Sequence, residues 1–334
     1  MQAVNWGFPV IGYLFLAGIG AGALTVSSSV LLRGGGGGFA GGHFRLARYG
    51  ALMAPVLLIV GTSLIVFELG TFEAAVAHGE WTKLFRWINL FLTINLSPMS
   101  IGSWALALCI LASLAYAYTF VRRDARPGDQ QDALRRGLAW IGVPLGIAVG
   151  VYTGVLLGAM PARPLWNTPM LALLFLLSAL STGVAAILLA KAIFERHGAG
   201  RGAAAAEGHG SAAKSGGGYL LAASDLLLIG FEILAIFLFI MFAHLTIGAP
   251  AEAMKVLLPG GQLAGMFWFG VVAIGLVLPV LVELKYVVPT LLHRKAYAIP
   301  RGVEIGVAAL ILVGGFMLRY VVVIAGQITG PTGI

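Results

Sequence analysis

"WGFPVIGYLFLAGIGAG" (Trp6–Gly22) admits two readings, and they lead to different folds. Its glycine run, Gly18–Gly22, resembles a loop that cradles a nucleotide's phosphates. Such a loop needs a strand before it and opens a helix after it. Here no strand precedes the glycines, and the apolar run continues to about residue 32 without a charged residue. A helical membrane span needs about 20 mostly apolar residues. The stretch is therefore read as a span, and its glycines as places where a neighbouring helix comes close.

The rest of the chain agrees. Its 334 residues are 59% hydrophobic and only 10% charged, with mean hydropathy +0.96. About a quarter of a soluble domain is charged, so this is an integral membrane protein. Eight stretches are long and apolar enough to cross: 8–32, 44–69, 98–121, 137–159, 168–193, 219–247, 264–292 and 302–327. "WINLFLTINLS" (Trp87–Ser97) is too short for a further span and reads as an interfacial or re-entrant helix, with Pro98 opening span 3. Met1–Trp6 carries no Lys or Arg, so no cleavable signal peptide is expected.

Loop charges set the orientation. Sixteen Lys and Arg residues fall in the loops joining spans 1–2, 3–4, 5–6 and 7–8, against four (Lys83, Arg86, Arg163, Lys255) in the opposite loops. Positive loops stay inside, so both termini are expected on the outer, periplasmic side. Trp6, Trp81, Trp87, Trp166 and Trp268 fall at that outer face, as an aromatic belt would. The expected class is an all-α membrane protein of eight transmembrane helices in two four-helix bundles. Residues 1–160 form one bundle and 161–334 the other, with a flexible inner loop at 197–218. A faint internal echo supports two parallel halves. "LFLAGIGAG" (Leu14–Gly22) aligns with "LFLLSALST" (Leu174–Thr182), setting Gly18 and Gly22 opposite Ser178 and Thr182.

Redox groups are constrained by the same inventory. A single cysteine, Cys109, excludes a disulfide or a cysteine-ligated cluster within the protein. Of six histidines only His244 lies in a span, so no facing pair can hold haem. No metal site is expected.

Ionisable groups inside the membrane are costly and usually functional. Glu68, in "SLIVFELG" (Ser63–Gly70), closes span 2 at its outer end. Tyr152 near the end of span 4, Arg163 in the next outer loop, and Asn95, Ser97, Ser100 and Ser103 around the start of span 3 share that depth. A carboxylate, a phenol, an amide and a guanidinium around one cavity suit a ligand with two oxygens and a greasy tail, such as a quinone. Its oxidation needs hydrogen bonds at the oxygens and a base for the proton. Equally, Glu68 and Arg163 could pair structurally. A second set, Asp225, Glu232, Glu283 and Arg319, is either a proton route or a buried charge network that fixes helix packing.

At these residues the sequence resembles the NrfD/PsrC family of polysulfide reductase-type membrane subunits. The opening span, "ELG" (Glu68–Gly70), "SPMSIGSW" (Ser97–Trp104) and above all "YTGVLLGAMPARPLWNTPMLALLFLLSALSTG" (Tyr152–Gly183) carry the resemblance, which covers nearly the whole sequence. It implies an eight-helix, quinone-reactive subunit of the bacterial inner membrane without haem or iron–sulfur cluster of its own. It implies as partners a ferredoxin-like iron–sulfur subunit on the outer face and a molybdopterin catalytic subunit. By motif, Glu68 stands at the family's acidic position, Tyr152 at its Tyr-Thr-Gly tyrosine and Arg163 at its Ala-Arg-Pro arginine. The turn after Glu68 departs: the family often reads Asp-Leu-Gly-Arg-Pro, and here Thr71-Phe72 follow.

The expected function is exchange of electrons between menaquinone or ubiquinone and the neighbouring iron–sulfur subunit. Glu68 and Tyr152 would act in the chemistry, and Asn95, Ser100, Tyr152 and Arg163 in quinone binding. The protein would not be catalytic alone. The alternatives are a secondary transporter, whose carboxylates bind and release ions, and a purely structural anchor.

Overall fold

The computed structural model describes residues 6–34, 42–68, 88, 91, 97–121, 130–194, 211–293 and 299–330. Among them there is no strand. The helices are α1 (Phe8–Arg33), α2 (Gly42–Glu68), α3 (Pro98–Val121), α4 (Gln130–Gly158), α5 (Met170–Phe194), α6 (Ser211–Leu245), the short α7 (Ala249–Met254), a π-helix (Met266–Val277) that runs into α8 (Leu278–His293), and α9 (Arg301–Ile328). Eight segments are long and apolar enough to cross a membrane, the π-helix and α8 together making the seventh. The expected eight-span, all-α class is what the protein forms. Prolines mark the starts, as their fixed φ and missing N–H favour: Pro9 opens α1, Pro98 is the first residue of α3, and Pro300 caps α9. The outer loop 70–87, most of Trp87–Ser97 and residues 197–210 of the expected inner loop lie outside the described residues; the remainder of that loop, 211–218, is instead the first two turns of α6.

α1 and α5 are the most enclosed spans, with 83% and 72% of their apolar windows buried. They lie against each other, and α1 also touches α2, α4 and α9. The contact uses the two stretches that echo each other in sequence. A Cβ on Gly22 would collide with the Ala179 carbonyl, and one on Gly183 with the Gly22 backbone. In a bilayer, association rests on such close packing, because lipid is as apolar as leucine.

Arg319 of α9 enters this crossing and is completely buried. Its Nε donates to the Leu14 carbonyl of α1 at 3.1 Å, and its Nη1 to Ser178 Oγ of α5 at 3.0 Å and to the Gly315 carbonyl at 2.7 Å. The guanidinium also lies over Phe15 (5.7 Å) and Phe175 (5.4 Å), one ring from each helix. Gly18 leaves room for it, since a Cβ there would stand 2.7 Å from Nη2.

The π-helical part of span 7 has a packing reason. Winding with i→i+5 bonds brings residues five apart onto one face. Gly270 and Gly275 both meet α9, Gly270 at Met317 and Gly275 at the Gly314 backbone.

Gly22→Val is expected to abolish monodisperse protein, because overpacking a tight contact costs about 1–3 kcal/mol even where side chains can adjust, and here the obstacle is backbone. Gly306→Ala, with nothing within 4 Å of the added carbon, should leave yield unchanged. Size-exclusion of detergent-extracted variants measures both.

Candidate functional site

A cavity of about 460 Å³ opens among the first four spans, at the end of the bundle that carries the N-terminus. Tyr13 comes from α1, Ile59–Val66 positions from α2, Met99, Ser103, Leu106 and Ile110 from α3, and Tyr152 and Leu156 from α4; Phe91 also lines it. The wall is overwhelmingly apolar. Its α2 and α3 hydroxyls are turned into their own helices: Thr62 donates to the Leu58 carbonyl at 2.7 Å, Ser63 to Ile59 at 2.8 Å and Ser103 to Met99 at 2.8 Å.

Among the described residues, two phenols remain as its polar groups. Tyr13 of α1 and Tyr152 of α4 both line the cavity, and their side chains interact with each other. The Tyr152 ring lies directly on Gly102 of α3, where any side chain would overlap it. That contact fixes the phenol between α3 and α1. Tyr13 was not singled out from sequence. The usable signal was a tyrosine inside the otherwise uncharged first span, where a buried hydroxyl needs a partner.

The other predicted residues fall variously. α2 ends at Glu68, less than one turn beyond Ile65 and Val66 of the cavity wall; its side chain lies outside the described residues, as does Asn95. Ser100 is buried on α3 but does not line the cavity, whereas Ser103 does. Arg163 is held away from it. Its Nη1 donates to the Gln327 carbonyl at 2.8 Å and the Gly326 carbonyl at 3.3 Å, where the last carbonyls of α9 lack helical partners. Trp166 is likewise internal, at 2% exposure. Its indole donates to the Val322 carbonyl at 2.8 Å, occupies the space above Gly326 and stacks on Trp6 at 5.2 Å. Placed in an aromatic belt by its position in sequence, it instead pins the loop to α9. The loop motif has Gly326 and the last carbonyls of α9 to grip, which composition does not reveal.

The second predicted set forms one run of electrostatic neighbours, from Glu283 to Asp225 to Glu232 to Arg319. Asp225 and Glu232 stand two turns apart on one face of α6, toward α5. Ser181 Oγ donates to Asp225 Oδ1 at 2.9 Å, and Asp225 interacts electrostatically with Glu283 of α8. Asp225 Oδ2 and Glu283 Oε2 are buried without a hydrogen-bond partner. Glu232 faces Ser178, the hydroxyl that accepts from Arg319. Thus Ser178 stands between a carboxylate and a guanidinium that do not pair directly. Among the described residues no group of three metal-ligating side chains gathers.

An eight-span bundle of this kind, with an apolar cavity and two phenols at one end, defines a multi-pass membrane protein. The family model for NrfD, polysulphide reductase, matches residues 1–331. The protein is 29% identical to the C subunit of polysulfide reductase from Wolinella succinogenes over 98% of its own length and 95% of that protein's. It is 27% identical to the protein NrfD of Escherichia coli, covering 98% and 96% of the two sequences. It is 24% identical to the NrfD homolog of Haemophilus influenzae, covering 97% and 95%. The chain belongs to the NrfD family, the multi-pass membrane subunits of respiratory oxidoreductase complexes.

Removing the Arg163 anchor tests the loop geometry. Arg163→Gln should lose about 1–3 kcal/mol, the usual worth of charge-assisted bonds, seen as a lower thermal midpoint of the solubilised protein. An unchanged midpoint would show that the α9 carbonyls do not need the guanidinium.

Proposed function

We propose that this protein exchanges electrons between membrane quinol and a neighbouring iron–sulfur subunit, in the cytoplasmic membrane of a bacterium. One observation carries the reading: among the described residues, the 460 Å³ apolar cavity of spans 1–4 offers a ligand the Tyr13 and Tyr152 phenols and little else that is polar. An isoprenoid ring and tail need an apolar chamber reached from lipid, with a few placed donors at the ring oxygens. The Tyr13 and Tyr152 hydroxyls hold one ring oxygen. Oxidation of the quinol gives up two electrons and two protons, and Glu68, at the end of the cavity's α2 wall, takes the protons in turn and passes them outward. Asn95, from the segment before α3, is a candidate for the second oxygen. In the opposite direction the same groups deliver two protons to the ring as it takes up two electrons.

Electrons leave to a partner, because the sequence offers no cysteine set for a cluster. The relatives support that assignment, one of them named as a subunit of polysulfide reductase. A ferredoxin-like subunit with several clusters, docked over the outer end beside the cavity, is the partner this reading requires. A molybdopterin catalytic subunit is the natural further member.

Tyr152→Phe removes one hydroxyl and leaves the ring on Gly102. In the assembled complex it should lower quinol-linked turnover about tenfold to a hundredfold, the range for losing one placed hydrogen bond or proton-transfer group. Tyr13→Phe should do the same in smaller measure. Full turnover in both variants, with the partner subunits still bound, would remove the cavity from the electron path.

A further inference from the structure

A second concavity, of about 680 Å³, lies at the other end of α2, between α2 and α5. Its α2 wall is one helical face. Arg45, Arg48 and Tyr49 stand at the mouth, and Leu52, Met53, Val56 and Leu57 continue below them. The spacing is i, i+3, i+4, i+7, i+8, i+11 and i+12, one stripe along a helix. Ala190 and Phe194 of α5 form the other wall, and Phe194 stacks on Tyr49 at 6.3 Å with the rings 15° apart. The walls are set by the opposite face of α2, where Gly50 allows Ser27 of α1 and Ile187 of α5 to close in.

The dimensions and chemistry match one kind of occupant. Twelve helical residues rise about 18 Å, close to half of the roughly 30 Å hydrocarbon core. The stripe therefore runs from the interface to about the bilayer midplane. Both guanidiniums are exposed and one turn apart, so both can reach a single phosphate. Tyr49 and Phe194 lie where head meets tail, and everything deeper is aliphatic. A soluble partner could meet the arginines but not follow the stripe into the bilayer. A quinone has a tail for the stripe but no charge for the arginines.

We propose that this groove binds an anionic phospholipid, its phosphate on Arg45 and Arg48 and one acyl chain along Leu52 to Leu57. The site is separate from the cavity of spans 1–4 and does not depend on what that cavity binds. It ties a lipid to the helix that carries Ile59 to Val66 of the cavity at its far end.

The test uses the purified complex, delipidated and titrated with phosphatidylglycerol, phosphatidylcholine or inorganic phosphate, read by native mass spectrometry and by thermal midpoint. The expected result is one tightly held phosphatidylglycerol and a raised midpoint, neither reproduced by phosphatidylcholine nor by phosphate alone. Each basic residue near an anionic headgroup is worth roughly fivefold, so R45Q/R48Q should weaken retention about thirtyfold. Val56→Trp, which fills the tail groove and leaves the arginines intact, should also displace the lipid. Equal lipid retention in R45Q/R48Q, equal retention in Val56→Trp, an equal response to phosphate, or a retained quinone in place of phospholipid would each overturn the proposal.

Discussion

A fully buried guanidinium in the hydrocarbon region is the constraint around which this bundle is arranged. An unpaired charge there costs several kcal/mol, so Arg319 depends on what the protein sets around it. Its Nε and Nη1 are met by three helices at once, through the Leu14 carbonyl of α1, Ser178 of α5 and Gly315 of α9 itself, while Nη2 is buried without a hydrogen-bond partner beside Gly18. Each partner needs a small residue beside it, and Gly18, Gly22, Gly183 and Gly315 supply the space. The charge thus fixes how closely α1, α5 and α9 approach. The aromatic faces of Phe15 and Phe175 complete its shell without adding polar groups that would need partners of their own.

From that centre the two ends of the molecule diverge. At the end with the termini, α9 is further bound by Arg163 and Trp166, and Gln327 closes the start of α1 by accepting from the Trp6 N–H and donating to the Trp6 carbonyl. With the loop held there, the cavity among α1–α4 is left with little but hydrocarbon and two phenols. At the opposite end positive charge is spent on helix termini and on the interface. Lys191 pairs with Glu304 at 2.9 Å, Arg301 bonds the Ala192 carbonyl, and Arg135 donates to Thr119 between Phe44 and Phe120. Arg45 and Arg48 also head an apolar groove. One helix, α2, therefore lines an uncharged chamber at one end and a cationic groove at the other.

Much of this was readable in the sequence. The spans follow from uninterrupted apolar runs, because the bilayer demands about 20 such residues and tolerates few exceptions. Tyr152 was legible as a polar group at cavity depth, and Gly18 and Gly22 as places where a neighbouring helix comes close. Tyr13 was not legible, since its importance comes from facing Tyr152 on another helix. Nor were the duties of Arg163 and Trp166, whose partners lie about 160 residues away on α9.

The sequence by itself determined a membrane protein of eight helices, for reasons that act within a segment: hydrophobic length, prolines at helix starts and the absence of charge. Tertiary structure decided which polar residues share a chamber and which merely share a depth. Depth depends on position along one helix, but contact depends also on rotation about its axis and on the neighbour's spacing. Arg163 and Tyr152 lie at the same end of the bundle, yet one is bonded to the end of α9 and the other is set against Tyr13. Only packing of α1 on α4, α5 and α9 separates those two fates.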